Sequence, residues 1–124
     1  MSAAALCLVA GALTVTVPAT RFTLAWEHSV EKVAWEEDYL VAGDWLYATG
    51  ARIRGSGAGM EPPDGSVLHD GAWRYRPAQR FLRELRLARS EFTPDYRLCF
   101  DGRCRPLSDW VPLSAGPTTL RPCP

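Results

Sequence analysis

The sequence predicts an all-β protein: a small antiparallel barrel or sandwich of about eight or nine short strands, with a short helical turn. Three observations predict it. Apolar and polar residues alternate with period two in most segments after Thr20; β-branched and aromatic residues concentrate in those segments; and Asp-Gly pairs at 70–71 and 101–102 stand between them as tight-turn signals.

Taken in order, Ser2 to Ala19 carry no charge, and their apolar run has the length of a signal-peptide core, short of the roughly 20 residues of a membrane span. Val17-Pro18-Ala19 suits a signal peptidase. Residues 1–19 are therefore expected to be a signal peptide or, since no Lys or Arg precedes the run, an uncleaved membrane anchor. Residues 20–124 are then a single β domain. Its first strand places Phe22, Leu24, Trp26, His28 and Val30 on one face, and its second runs through Val33, Trp35, Glu37, Tyr39 and Val41. Gly43-Asp44 turns the chain into a third strand from Trp45 to Ile53. Gly55 to Gly65, with four glycines and two prolines, is a loop. Asp70-Gly71 joins two strands in a hairpin. Between Pro77 and Ser90, helical spacing at Ala78, Phe81, Leu82 and Leu85 gives way to alternation at Leu85 and Leu87, so a helical turn running into a strand at Glu84 to Arg89 is expected. The Cys99–Cys104 hairpin follows, then a helical turn at Leu107 to Trp110 and a last strand near Thr118 to Arg121.

Composition narrows the function classes. With 124 residues, 47% of them apolar, the chain forms one core. Its 14 basic and 14 acidic residues cancel, so no overall field draws it to nucleic acid or to an anionic membrane, and a monomer is expected. The charges are nevertheless segregated: six acids and one Lys lie between Glu27 and Asp44, and six Arg and one acid between Arg74 and Arg89. Neighbouring strands pairing these segments across a sheet is the simpler expectation; an Arg-rich surface meeting an anionic ligand or lipid is the sharper one.

The cysteines indicate an oxidising compartment. A turn at Asp101-Gly102 sets Cys99 opposite Cys104 in a non-hydrogen-bonded pair, within disulfide reach. A domain starting at Thr20 has a third cysteine, Cys123, which could replace either partner.

Two runs carry the candidate site residues. In the first, His28, Ser29, Glu31, Trp35 and Glu36 lie along consecutive strands. Adjacent strand residues point to opposite faces, so His28 and Ser29 do not form a base–nucleophile pair, and no catalytic residue is assigned. In the second, Arg54, Gly55, Gly57, Gly59, Met60 and Glu61 open the glycine loop, whose backbone amides could approach a ligand. This is not a dinucleotide fingerprint, since Glu-Pro-Pro follows instead of a helix, and no cofactor is expected. Two histidines at no recognised spacing give no metal motif.

His28-Ser-Val-Glu31 with Trp35-Glu36, Gly55-Ser-Gly-Ala-Gly-Met-Glu-Pro-Pro63, Asp70-Gly-x-Trp73, and Leu98-Cys-x-x-Gly102-x-Cys104-x-x-Leu107 together resemble the bacterial domain of unknown function 1850 family. The resemblance implies an exported or inner-membrane-tethered periplasmic protein, often encoded beside a TAXI-class tripartite ATP-independent periplasmic transporter. It implies a non-enzymatic accessory role, docking on the transporter's membrane subunit or solute receptor. The alternative is a periplasmic domain binding a small anion such as a carboxylate through His28 and Arg54, with a His28/Glu36 acid–base enzyme as its extension.

Overall fold

The computed structural model describes residues 5–28, 33–55 and 62–124. Among these residues, twelve strands form two antiparallel sheets: β1 (Leu6–Ala10), β2 (Leu13–Val17), β3 (Arg21–His28), β4 (Val33–Ala42), β5 (Trp45–Arg54), β6 (Val67–His69), β7 (Ala72–Tyr75), β8 (Phe81–Leu82), β9 (Leu85–Leu87), β10 (Arg97–Phe100), β11 (Arg103–Pro106) and β12 (Thr118–Pro122). The smaller sheet runs β2-β1-β12-β9. The larger runs β11-β10-β3-β4-β5-β7-β6, with β8 pairing β5 beyond the end of β7. Neither sheet closes on itself, so the architecture is a sandwich and not a barrel.

The inner faces make the core. Leu6, Leu8, Val17, Leu87 and Leu120 of the smaller sheet pack with Phe22, Leu24, Tyr39, Val41, Leu46, Ala48 and Leu98 of the larger. Leu107 and Val111, in and after the single-turn 3₁₀ helix Leu107–Asp109, add to the same core. The β4–β5 ladder slips between Asp38 and Tyr39, whose partners are Gly50 and Ala48, leaving Thr49 as an extra residue. This bulge shifts the side-chain parity of β5, so Leu46, Ala48, Ala51 and Ile53 are all buried although their spacing is not uniformly two.

Every strand expected after Thr20 has a counterpart, and the others come from two places. The apolar run expected to act as a signal peptide or anchor forms, in this fold, the hairpin of β1 and β2. Leu6, Leu8 and Val17 are fully buried, and Cys7 is bonded to Cys123. Strand β8 replaces the helical turn expected near Phe81. Leu82 and Phe81 pair with Leu46 and Tyr47, and this pairing with a free stretch of β5 overrides the local helical spacing. The helical turn expected at Leu107 is present, and a second 3₁₀ turn spans Leu113–Ala115.

Both Asp-Gly hairpins form as the turn chemistry dictates: Asp70, Gly71, Asp101 and Gly102 all have positive φ, the geometry of type I′ turns. Cys99 faces Cys104 across the second and is bonded to it.

A charged side chain is wholly enclosed here. The Arg89 side chain, 0% exposed, donates to both oxygens of Asp95 at 3.0 Å, to Thr118 Oγ1 and to the carbonyl of Val111. Asp95 also accepts the amide protons of Tyr96 and Ser108. The charge pair thus joins β12, the 3₁₀ segment and the start of β10, beside the backbone hydrogen bond from Leu107 to the carbonyl of Tyr96.

Candidate functional site

Strands β3, β4 and β5 align so that Ala25, Glu36 and Arg52 are cross-strand neighbours, as are Thr23, Asp38 and Gly50. These residues lie on the face turned away from the smaller sheet. The acids of β4 are matched there by arginines of β5. Arg52 donates from Nε to Glu36 at 3.0 Å and from Nη1 to Asp38 at 2.7 Å, while Arg54 Nε reaches the same Glu36 oxygen at 2.6 Å. Thr23 Oγ1 completes the network on Asp38 at 2.6 Å. The hydrogen bond that Arg52 donates to Asp38 raises its pKa above the ordinary value, against the lowering effect of burial, so this guanidinium stays charged.

This arrangement corrects one expectation of charge pairing. The acids of β4 bond to Arg52 and Arg54, not to the Arg74–Arg89 segment, whose ion pairs among the described residues are Arg86 with Glu84 and Arg89 with Asp95.

The inner face of the same strands is aromatic at this same end. Trp35 stacks on its cross-strand neighbour Trp26 at 6.1 Å, and Tyr96 leans on Trp26 at 6.0 Å. Beside them Glu37 stands on the inner face, half-buried, and accepts a hydrogen bond from the Tyr39 hydroxyl at 2.7 Å. Burial first, and Glu37 second, push the Tyr39 phenol far above its usual pKa; burial followed by the charge of Glu37 raises Tyr75 as well. Tyr96 is raised by burial, then by Asp95 and Glu37.

The sequence-predicted residues divide as follows. His28 ends β3 opposite Val33, and Arg54 ends β5 opposite Ala34, so the hairpin between β3 and β4 and the glycine loop leave the sheet at the same end. Gly55 follows at once with φ 116°, a conformation that favours glycine. Glu36 and Arg54 are bonded on the outer face, and Trp35 is on the inner one. Ser29, Glu31, Gly57, Gly59, Met60 and Glu61 lie outside the described residues. A depression of about 360 Å³ beside Glu36 and Arg54 is lined also by Ala25, Glu27, Asp95 and Arg97. Among the described residues no group of three His, Cys, Asp or Glu side chains is placed to hold a metal ion.

Sequence reasoning missed the roles of Asp38 and Glu37. For Glu37 a signal existed: it occupies an apolar-face position in the alternation Val33, Trp35, Glu37, Tyr39, Val41, where a carboxylate needs a partner.

Fold and site together define an antiparallel β-sandwich domain whose larger sheet carries an ion-paired outer face. The family described as Domain of unknown function (DUF1850) matches residues 22–107, and the chain belongs to that family. No curated protein and no solved structure matches the chain.

Proposed function

We propose that this domain is a non-enzymatic accessory module of a TAXI-class tripartite ATP-independent periplasmic transporter, acting in the periplasm or tethered to the inner membrane facing it. It docks on the membrane subunit or the solute receptor through the end of the larger sheet where β3 and β5 finish. The observation that carries this reading is the register: His28 opposite Val33 and Arg54 opposite Ala34 bring the two family-like runs to one end of one sheet. Two disulfides suit an oxidising compartment.

The charge of the adjoining depression bears on the choice between a protein and a small anion. Glu27, Glu36 and Asp95 stand there against Arg54 and Arg97, and the Arg54 guanidinium is already engaged by Glu36. Mixed charge of this kind favours a complementary protein surface, which can pair with both signs, over a free carboxylate, which the acids would repel.

The test is chemical cross-linking and pull-down from mildly solubilised membranes of the host, comparing the wild-type chain with His28→Ala and Arg54→Glu. Recovery of the transporter membrane subunit or the solute receptor, lost in the variants, is the expected result. Recovery of neither, together with a thermal shift on adding small carboxylic acids, would replace this reading with the anion-binding one.

A further inference from the structure

The outer face of the larger sheet changes character toward its other end. Arg21 of β3 is opposite Leu40 of β4, Leu40 is opposite Tyr47 of β5, and Tyr47 is opposite Phe81 of β8, so the four form one row across the sheet. Tyr47 and Phe81 rings lie 4.8 Å apart, and Trp45 meets Phe81 edge-on at 6.1 Å. These rings are not enclosed: Trp45 is 38% and Phe81 54% exposed. The Arg83 guanidinium sits 4.0 Å over the Trp45 ring. Arg83 and Arg121 line one shallow depression with Asp44, and Arg80 precedes Phe81 in the chain.

Aromatic rings standing in water in mutual contact cost free energy unless something covers them. Four exposed arginines, Arg21, Arg80, Arg83 and Arg121, belong to this region; of the acids near them, Asp38 and Glu84 are bonded to Arg52 and Arg86, and Asp44 and Asp101 are exposed. Tryptophan, tyrosine and phenylalanine flanked by arginine is the chemistry of a surface that rests at a bilayer interface: the rings enter the headgroup layer and the cations meet lipid phosphates. A protein partner of that chemistry would need a matching acidic and apolar surface; an anionic bilayer supplies both in one layer.

We propose that this patch, centred on Trp45, Tyr47, Phe81 and Arg83, is a peripheral docking surface for an anionic lipid bilayer. It goes beyond the accessory reading, since it uses the opposite end of the sheet and does not depend on any transporter subunit. It also gives the domain a way to stay at a membrane surface through its folded body.

The test is flotation of the full-length, disulfide-bonded chain with vesicles of phosphatidylcholine alone or of phosphatidylcholine with phosphatidylglycerol. The wild-type chain is expected to float with the anionic vesicles, to be released by added salt, and to stay unbound with neutral ones. A Trp45→Ser/Phe81→Ser variant is expected to lose most of its binding. Arg83→Glu, which leaves the rings in place, is expected to lower the partition at least about fivefold, the worth of one basic residue near an anionic surface. Circular dichroism of each variant checks that the sheet persists. Absence of wild-type flotation, or flotation that neither variant weakens, overturns the proposal. So does concentration-dependent self-association without lipid that Trp45→Ser abolishes, which would assign the patch to a second copy of the chain. Because transporter recovery is read with Arg54 and His28 variants and flotation with Trp45 and Arg83 variants, either reading can fail alone.

Discussion

A chain beginning at Thr20, as cleavage after Ala19 would leave it, is expected not to fold. It lacks β1 and β2, and with them the fully buried side chains of Leu6, Leu8 and Val17. At about 1.5–3 kcal/mol for each such side chain, their loss removes roughly 5–9 kcal/mol of burial. The cost does not end there, because Leu120 of β12, itself fully buried, loses its neighbour Leu8 across the ladder. The Cys7–Cys123 bond, with a sequence separation of 116, disappears as well; closing so long a loop is worth about 5 kcal/mol in the chain-entropy account. Together these match or exceed the roughly 5–15 kcal/mol by which a domain of this size is stable. The assay is urea unfolding followed by near-ultraviolet circular dichroism, comparing the 124-residue chain with the one starting at Thr20 under oxidising conditions. A cooperative transition in the shorter chain, with a midpoint close to that of the full one, would refute the reasoning and show that the larger sheet holds without the cover of β1 and β2.

The two disulfides are expected to differ in worth. Replacing Cys7 and Cys123 by Ser should lower stability by about 5 kcal/mol, and replacing Cys99 and Cys104, which close a separation of only 5, by about 2 kcal/mol, read as urea midpoints at constant m. Arg89→Ala leaves the largely buried Asp95 carboxylate without its cation and should cost about 3–5 kcal/mol in the same measurement; a loss below about 1 kcal/mol would mean that water entering from the adjoining depression solvates Asp95. Alkaline pH should expose the raised phenols. The folded state keeps the Tyr39, Tyr75 and Tyr96 protons where the unfolded chain has lost them, so their contribution is complete below about pH 10 and declines as pH rises further. Tyr39→Phe should flatten that decline, and urea midpoints between pH 8 and 11 that fall equally steeply in both proteins would contradict it.

How far the fold was legible depended on whether a segment's pattern and its pairing partner agreed. Alternation in β3 and β4 and the Asp-Gly turns carried their own geometry, because turn type and side-chain period are local properties. The register of Cys99 on Cys104 followed from the turn alone. Strand β8 was hidden because two residues are too few to show a period, and its reason for being extended lies in Leu46 and Tyr47, far away in sequence. The β5 bulge was hidden likewise: Thr49 and Gly50 look like ordinary strand positions until β4 is placed beside them. For the site, Glu36 and Arg54 were legible as a charged pair of candidates, but their bond to each other, and the share taken by Arg52 and Asp38, depended on cross-strand neighbours that composition does not specify. The apolar run from Leu6 to Val17 was ambiguous in a different way. Hydrophobicity without charge suits both an export signal and a buried hairpin; in this fold the run forms the hairpin, and Cys7 is bonded to Cys123.

The extent of the family match sharpens that last point. Residues 22–107 take in essentially all of the larger sheet, from the start of β3 to the end of β11, and of the smaller sheet only β9. Yet the inner face of the matched region presents Phe22, Leu24, Tyr39, Val41, Leu46 and Ala48, a continuous apolar surface that water would make untenable. The matched strands therefore cannot stand alone; something outside the match must cover them, and here it is β1, β2 and β12, clasped at their ends by Cys7 and Cys123. Since the covering strands need only be apolar on one side and of the right length, they can vary more freely than the sheet they cover. The ion-paired outer face, where Glu36 and Asp38 meet Arg52 and Arg54, lies inside the match.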